Sequence, residues 1–403
     1  MNDVTRDYIQ RNLDADVRQL ALQGCSDDRV DLPLALQQIA GRKAARGKLP
    51  TWAANDDILY PAALSLEQCS SEKTARYKAD LCSRLLHSSP TPHTLIDLTG
   101  GFGVDFTLMS GVFEKAIYVE QNAELFAVAT ANFVTMGKHV EALCTDGIGY
   151  LQQFKGHASI IFLDPARRNS HGGRTYGIAD CTPNVLDIKE KLLDKADHVI
   201  LKLSPMLDWH KAVQDLGPQH VKEVHILSVQ NECKELLIVM ERNTNDNLTL
   251  SCVNDDSVFT VAQHSQTIQK PLFRQHDANV LAGLFLYEPN ASIMKAGCFN
   301  EVAEAFGVQP LATNSHLFVT DSPMADFPGR KFQIMAISSM NKQELKSTLK
   351  GIRQANVATR NFPLSVVELR KRLKLADGGT DYIFATTLDD RQHLLLLCKK
   401  TTF

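Results

Sequence analysis

The sequence predicts an α/β protein built around a doubly wound parallel sheet. Residues 94–241 alternate between strand-like and helix-like segments, and this alternation pairs strands in parallel through right-handed crossovers. Two close glycines follow the first strand-like segment, and polar residues stand at the ends of later ones. Because open parallel sheets bind ligands beyond the carboxyl ends of their strands, the pattern predicts a ligand site at this edge.

Seven strands are expected in this sheet. Their candidate ranges follow the apolar runs at 94–98, 115–120, 140–144, 158–163, 198–203, 221–229 and 235–241. Helical spacing is present near 104–112, 122–136, 147–154, 184–195 and 208–216. Only "QNECK" separates the last two strands, which is too short for a crossover, so they should form an antiparallel hairpin.

The chain divides into four predicted parts. Residues 1–90 are predicted as a helical N-terminal segment, and residues 91–243 as the domain that contains the parallel sheet. Short strand-like runs and one helix predict a small α+β domain over residues 244–329, and residues 330–403 are predicted as a basic α+β domain. A length of 403 residues fits several domains better than a single core.

Composition excludes several classes of protein. The chain is 44% hydrophobic and 22% charged, as in globular proteins and unlike disordered or collagen-like ones. No apolar run approaches the roughly 18 residues of a membrane span, and the N-terminal residues are polar. The nine cysteines form no C-x-x-C pair and no cluster at zinc spacing. We therefore expect a cytoplasmic protein with reduced thiols, no membrane contact and no metal site.

Charge is unevenly distributed along the chain. Residues 330–403 contain 14 Lys and Arg against 6 Asp and Glu, a net charge of +8, whereas residues 1–329 contain 29 against 40, a net charge of −11. A basic terminal domain is typical of proteins that bind an anionic polymer such as RNA. The cluster "RKRLK" makes Arg370, Lys371 and Arg372 candidate substrate contacts, although a solvated helix face gives a similar pattern.

The glycine turn lies in "DLTGGFGVD", residues 97–105. A dinucleotide-binding turn would have a third glycine where Phe106 stands, and Asp105 would repel a diphosphate. Asp97 at the end of the first strand suits a cationic group of a ligand, and Glu120 at the end of the second suits the two hydroxyls of a ribose. These residues together favour S-adenosylmethionine, a nucleoside that carries a cationic amino acid.

Four motifs in this region resemble those of class I methyltransferases, which have a Rossmann-like sheet of seven strands. "DLTGGFGVD" resembles the first motif of that family, "IYVEQN" its ribose-binding acid, "CTDG" its adenine-contacting acid and "LDPARR" its Asp-Pro-Pro-Tyr catalytic loop. In that family, the matching first-motif residues hold the methionine part of the cofactor. The resemblance implies S-adenosylmethionine as the cofactor, bound by Asp97, Thr99, Gly101, Phe102, Gly103, Glu120, Gln121, Asp146 and Gly147.

More closely, the chain is similar to methyltransferases with a C-terminal THUMP-like domain, through "LEQCSSEKTARYK" and "LDPARRNSHGG". THUMP domains are associated with RNA-modifying enzymes. The resemblance therefore implies an S-adenosylmethionine-dependent methyltransferase that acts on a base of structured RNA, either tRNA or rRNA. Two alternatives stay open: a methyltransferase of a small molecule or a protein, and a non-catalytic protein that binds the cofactor.

The loop after the fourth strand supplies the candidate catalytic residues Asp164, Pro165 and Arg167. In Asp-Pro-Pro-Tyr enzymes this loop accepts a hydrogen bond from the exocyclic amine of a base, and an aromatic ring stacks on the base. Here the third and fourth residues are alanine and arginine, and a guanidinium can stack on a base or bind phosphate. Arg168 and Arg174, in the glycine-rich stretch that follows, are candidate substrate-binding residues.

Methylation of a pyrimidine carbon would require a cysteine nucleophile instead. Ser204 stands after the fifth strand, where that thiol would be expected, and a serine at its ordinary pKa is a poor nucleophile. Cys181 is the nearest substitute, and we interpret it as a buried thiol. The expected reaction is direct transfer to a base amine that Asp164 orients.

Overall fold

The computed structural model describes residues 1–87, 91–167, 177–243, 248–262 and 280–401. Two compact units make up the chain. The first consists of residues 1–229 and 234–248, and the second of residues 230–233 and 249–403. No helix of the described residues is both long and apolar enough to cross a membrane.

Helices form the N-terminal part of the first unit. They are α1 (Asp3–Arg11), α2 (Val17–Gln23), α3 (Leu32–Lys48), α4 (Pro50–Ala53), α5 (Ala63–Gln68) and α6 (Glu72–Leu86). Side-chain oxygens of Asn2, Asp16, Asp31 and Ser71 accept backbone N–H groups at the starts of α1, α2, α3 and α6. The predicted helical character of this segment is confirmed.

The rest of the first unit alternates strands with helices. Its strands are β1 (Thr94–Asp97), β2 (Lys115–Glu120), β3 (Glu141–Cys144), β4 (Ala158–Leu163), β5 (Ala166–Arg167), β6 (Cys181–Thr182), β7 (Ala196–Leu203), β8 (Val221–Val229) and β9 (Glu232–Met240). Its helices are α7 (Val104–Met109), α8 (Ala123–Thr135), α9 (Gly147–Gln153), α10 (Val185–Lys195) and α11 (Trp209–Leu216). Short 3-10 turns follow α7 and precede β6 and β8.

Seven of these strands lie in the order β8-β9-β7-β4-β1-β2-β3. β1 pairs in parallel with β2 and β4, and β4 pairs in parallel with β7, whereas β9 runs antiparallel to β7. The order runs outward from β1 in both directions, so the chain changes direction between β1 and β4, where such sheets bind ligands. A two-residue turn with φ of +52° at Gln230 and +62° at Asn231 joins β8 to β9, as the predicted hairpin requires.

The second unit contains a second sheet. Its elements are β10 (Thr249–Asn254), β11 (Ser257–Ala262), β12 (Phe285–Pro289), α12 (Ala291–Ala296), α13 (Phe299–Phe306), β13 (Gln309–Pro310), β14 (Phe318–Thr320), β15 (Gly329–Ser338), α14 (Lys342–Thr348), β16 (Asn356–Arg360), α15 (Val366–Leu373), β17 (Asp381–Thr387) and β18 (His393–Lys400). Seven strands lie in the order β13-β14-β12-β15-β18-β17-β16. β10 and β11 form an antiparallel hairpin.

Two features of this unit differ from the predictions made from the sequence. The one helix expected before residue 329 is two helices, because Gly297 adopts a left-handed φ of +74° and ends α12. β12 pairs with β15, so one sheet continues across the predicted boundary between residues 329 and 330. The division of the chain into four domains stays a prediction.

Candidate active site

The glycine turn joins β1 to α7 at the carboxyl end of the sheet. Gly101 and Gly103 have φ of +58° and +83°, a left-handed conformation that favours glycine. A Cβ added at Gly103 would meet the ring of Phe133 at 3.0 Å, whereas one at Gly101 would meet nothing closer than 3.8 Å. Gly103 therefore serves the packing of the turn, and Gly101 leaves open space beside its backbone.

Two carboxylates flank this turn. Asp97 ends β1 and is 1% exposed, and its Oδ1 accepts a hydrogen bond from the backbone N–H of Thr99 at 3.0 Å. Glu120 ends β2 and accepts the backbone N–H groups of Gly101 at 2.7 Å and Asn122 at 2.6 Å. Since a carboxylate has about four acceptor positions, Glu120 keeps the capacity to accept two hydroxyl groups.

The Asp97 carboxyl is buried close to three other carboxylates. Burial raises the pKa of Asp97 well above its ordinary value, the Thr99 backbone lowers it, and the carboxylates of Asp105, Asp164 and Glu120 raise it further. Within the described part of the chain no cationic side chain forms an ion pair with Asp97. An ionised carboxylate in this position is unfavourable unless a cation compensates it, so the site fits a ligand that brings a positive charge.

The end of β3 contributes Asp146 and Gly147. Asp146 begins α9, where its Oδ2 accepts the backbone N–H of Gly149 at 2.7 Å and its side chain is exposed. A Cβ at Gly147 would lie 2.1 Å from the carbonyl oxygen of Leu98, so only glycine allows this approach of α9 to the end of β1. Gln121, another predicted cofactor-binding residue, is exposed after β2.

Phe102 faces away from the open side of the turn. Its side chain is 3% exposed, and its ring centroid lies 5.0 Å from that of Trp52 and 6.4 Å from that of Tyr60. These rings belong to an apolar cluster formed with the N-terminal helices. Only the backbone of Phe102 is therefore available to a ligand, and its ring anchors the turn to the helical segment.

Asp164 follows β4 directly, beside the glycine turn. Its backbone N–H donates to Thr99 Oγ1 at 2.6 Å, and its Oδ2 forms an ion pair with Lys202 Nζ. The side chain is 39% exposed, and Oδ1 has no hydrogen-bond partner among the described residues. Burial raises the pKa of Asp164, Lys202 lowers it and nearby carboxylates raise it, with a net upward direction.

Behind Asp164 lies a group of side chains that the sequence analysis did not identify. We call it the buried charge network, and it consists of Ser70, Lys78, Asp105, Lys202 and Glu235. Lys78 is 0% exposed, and its Nζ contacts Glu235, lies 3.1 Å from Asp105 Oδ1 and lies 3.0 Å from Ser70 Oγ. Ser70 Oγ in turn donates to Asp105 Oδ2 at 2.7 Å.

Lys202 connects this network to Asp164. It is 7% exposed, and besides Asp164 its Nζ lies 3.9 Å from Asp105 Oδ2. Burial lowers the pKa of Lys202, but the carboxylates of Asp164, Glu235 and Asp105 outweigh burial and hold it above its ordinary value. The Coulombic effects of Lys78 and Lys202 hold the pKa of Glu235 at about 2, although burial opposes them.

The sequence contains part of the signal for this network. Lys202 interrupts the apolar run of β7, and a charged residue inside a buried strand requires a partner. The rest of the network is not evident from sequence spacing, since two of its members, Lys78 and Glu235, are 157 positions apart.

Some predicted site residues lie outside the residues that the structure describes, and others are buried. Arg168, Arg174 and the side chain of Arg167 lie outside the described residues, whereas Pro165 is buried. Cys181 is buried, which agrees with its interpretation as a structural thiol. No group of three or more His, Cys, Asp or Glu side chains in the described ranges is arranged to hold a metal ion.

Arg370, Lys371 and Arg372 lie in the last turn of α15, in the second unit. Arg370 pairs with Asp377 at 2.7 Å, while Lys371 and Arg372 are exposed. Cations at a helix C-terminus are favourable without any ligand, so the position of this cluster does not by itself indicate a contact with RNA. Its contact with RNA stays a prediction.

Comparison with known proteins identifies the C-terminal part. A THUMP domain-like family model matches residues 329–400, and a ferredoxin-like domain model matches residues 285–328. No curated protein matches the chain.

Among solved structures, the "putative methyltransferase" of Porphyromonas gingivalis W83 is 30% identical to this chain, with a TM-score of 0.85. The match covers 99% of this chain and 98% of that one. An rRNA methylase from Streptococcus thermophilus is 13% identical, with a TM-score of 0.32 over 42% of this chain and 96% of that one. A SAM dependent methyltransferase from Agrobacterium tumefaciens is 17% identical, with a TM-score of 0.32 over 43% and 63%.

The strand order and the glycine turn define a class I methyltransferase fold, and the fold predicted from the sequence is confirmed. The chain belongs to the class I methyltransferases with a C-terminal THUMP-like domain, because it is 30% identical to the Porphyromonas protein over nearly its whole length and matches the THUMP domain-like family model.

Proposed function

We propose that this protein transfers a methyl group from S-adenosylmethionine to a base of structured RNA, either tRNA or rRNA. The observation that carries the proposal is the position of Asp97, Glu120 and Asp164 at three neighbouring strand ends around the open glycine turn. This arrangement occurs in a chain that has a THUMP-like domain.

The residues around the turn fit this cofactor. The buried Asp97 carboxyl pairs with no cation of the described residues and suits the positively charged methionine part. Glu120 retains acceptor positions for the ribose hydroxyls, and exposed Asp146 is suited to accept from the adenine amine. When bound, the cofactor supplies a methyl group activated by the sulfonium, so the chain mainly has to align the acceptor at about 3 to 3.5 Å.

Asp164 is the residue proposed to orient that acceptor. The side chain is 39% exposed and no described residue donates to its Oδ1, so an exocyclic amine of a base can donate a hydrogen bond to that oxygen. The pKa of Asp164 is raised from its ordinary value towards neutral pH, which suits a group that takes the proton lost by the amine. Buried Cys181 does not supply the exposed thiol that carbon methylation would need.

The RNA part of the proposal depends on the second unit. The THUMP-like match covers residues 329–400, and the +8 charge of residues 330–403 favours a polyanion over a neutral small molecule. RNA extracted from cells that lack this protein is the matched substrate, since it should contain the unmodified site.

Two measurements test the proposed function. Calorimetry with S-adenosylmethionine should show binding to the wild-type protein and none to Asp97→Ala. Tritium should pass from the labelled cofactor into RNA of the deletion strain but not into RNA of the parent strain, and mass spectrometry of nucleosides would then identify the base. Label that enters only protein or small molecules would contradict RNA as the substrate.

A further inference from the structure

We propose that Lys202 is a positioning residue, which holds the Asp164 carboxylate with Oδ2 turned inward and Oδ1 presented to the amine of the substrate. The catalytic consequence rests on the proposed function. The positioning itself rests on contacts within the first unit.

The sheet register brings the two side chains together. β4 and β7 pair in parallel, with Leu163 opposite Leu201, so Asp164, directly after β4, comes next to Lys202 of β7. Lys202 has the buried residues Leu201 and Leu203 on either side. A lysine is retained in such a strand only at a cost, unless its ammonium is paired, and here the pair joins it to the proposed catalytic loop.

Asp164 is held at two points. Thr99 Oγ1 accepts its backbone N–H at 2.6 Å, and Lys202 Nζ contacts its Oδ2. The first contact fixes the backbone of the loop relative to the glycine turn, and the second restricts rotation of the carboxyl group. The remaining oxygen, Oδ1, accepts no hydrogen bond from a described residue and is therefore the oxygen that can accept one from a substrate.

The buried charge network keeps Lys202 charged and in place. Asp105 and Glu235 both act on Lys202, and Lys78 pairs with the same two acids from the other side. Lys202 remains protonated because these carboxylates, with Asp164, outweigh its burial. Alternating charges thus connect Lys78 of α6 to Asp105 of α7, and Asp105 through Lys202 to Asp164.

One experiment measures the Asp164 carboxyl directly and needs no RNA. The protein is labelled with ¹³C-aspartate, the Asp164 resonance is assigned with Asp164→Asn, and its titration is followed by NMR. Because an adjacent cation lowers a carboxyl pKa by about 1 to 3 units, Lys202→Met should raise the midpoint by that amount. Lys202→Arg should restore it in part, and an unchanged midpoint in Lys202→Met would overturn the inference.

The matched control is Lys115→Met. Lys115 also pairs with a carboxylate, Glu141, at 3.2 Å, but both side chains are about half exposed and the pair lies where β2 begins. This variant should leave the Asp164 titration unchanged. A shift of equal size in Lys115→Met would mean that the Asp164 resonance reports overall charge, which would also overturn the inference.

A second experiment measures transfer into RNA of the deletion strain. Lys202→Met should bind S-adenosylmethionine like the wild type but lower kcat by about 100-fold, the loss expected when a reacting group is misplaced by about 1 Å. In an Asp164→Asn background the same substitution should cause no further loss, because Lys202 acts through Asp164. Losses that multiply in the double variant would contradict the inference.

The two experiments separate the two proposals. If the wild-type protein transfers no label to RNA, the proposed function fails, and the NMR titration still decides whether Lys202 controls the carboxyl.

If Lys202→Met does not fold, Lys202→Arg replaces it. Arginine is a longer, planar cation, so it should preserve the ion pair but displace Oδ1. Its kcat should therefore fall, while cofactor binding and the thermal midpoint stay unchanged. An Arg variant with full activity would contradict positioning by Lys202.

Discussion

The backbone N–H of Gly101 donates a hydrogen bond to Glu120 Oε2 at 2.7 Å, so the end of β2 holds the glycine turn that follows β1. The other oxygen of Glu120 accepts the backbone N–H of Asn122 at 2.6 Å, where α8 begins. Glu120 thus shapes the glycine turn in addition to its proposed contact with ribose.

Replacing Glu120 with Gln should weaken cofactor binding by about 10- to 100-fold, because hydrogen bonds to a charged group contribute about 1.5 to 3 kcal/mol. The amide retains one acceptor oxygen but places an NH₂ group against a backbone N–H. Calorimetry with S-adenosylmethionine measures the change. Glu124→Gln, an exposed residue in the first turn of α8, is the control and should bind normally.

Gly101→Ala and Gly103→Ala should differ in their effect on stability. Both replace a glycine with positive φ, which costs roughly 1 to 2 kcal/mol. Gly103→Ala also brings a methyl group to 3.0 Å from the ring of Phe133, so its free energy of unfolding should fall further. Urea unfolding compares the variants, and a larger loss for Gly101→Ala would contradict the packing role of Gly103.

Asp97→Asn should abolish cofactor binding yet stabilise the free protein at neutral pH. A carboxyl with a raised pKa stabilises the folded state below its ordinary pKa of 3.8, and this contribution is lost as the pH rises through the raised value. The variant lacks that loss, so its thermal midpoint should exceed that of the wild type by more at alkaline than at acid pH. Thermal unfolding across this range tests the sign, and a difference that shrinks with rising pH would contradict it.

Lys78→Met should destabilise the protein by about 3 to 5 kcal/mol, because it removes the buried cation that forms ion pairs with both Asp105 and Glu235. The depressed pKa of Glu235 contributes stability above its ordinary value of 4.5, which is lost as the pH falls towards about 2. The variant should show a weaker loss of stability over this acid range. Urea unfolding at several pH values measures both effects.

Lys211→Met provides the comparison for that measurement. Lys211 pairs with Asp215 at 3.0 Å on the surface of α11, and an exposed pair contributes less than about 1 kcal/mol. Equal losses for Lys78→Met and Lys211→Met would mean that the buried charge network does not stabilise the fold.

The strands of the first unit could be predicted because buried parallel strands are continuous apolar runs. β2, β4 and β8 have the predicted bounds, and β1, β3, β7 and β9 differ by up to three residues at an end, whereas the two-residue strands β5 and β6 were not predicted. In the second unit β16 was missed, because Asn356–Arg360 is half-buried throughout and contains no apolar run. The short strands β13 and β14 give equally little signal in the sequence.

The acids at the strand ends could be predicted for the same reason: once the ends of the strands are known, the residues that follow them are known too. The buried charge network could not, since it joins α6 to β9 and no spacing rule brings these elements together. The direction of the Phe102 ring was equally hidden, because an aromatic residue in a glycine turn is compatible with ligand contact and with packing.

Because Phe102 packs against Trp52 and Tyr60, the segment before β1 supports the glycine turn. A shortened protein that begins at β1 would keep every predicted cofactor-binding residue. It would nevertheless lose the aromatic support on which their backbone rests, and it would expose an apolar ring to water beside the cleft. Attempts to isolate a minimal catalytic fragment should therefore retain the helices that precede the sheet.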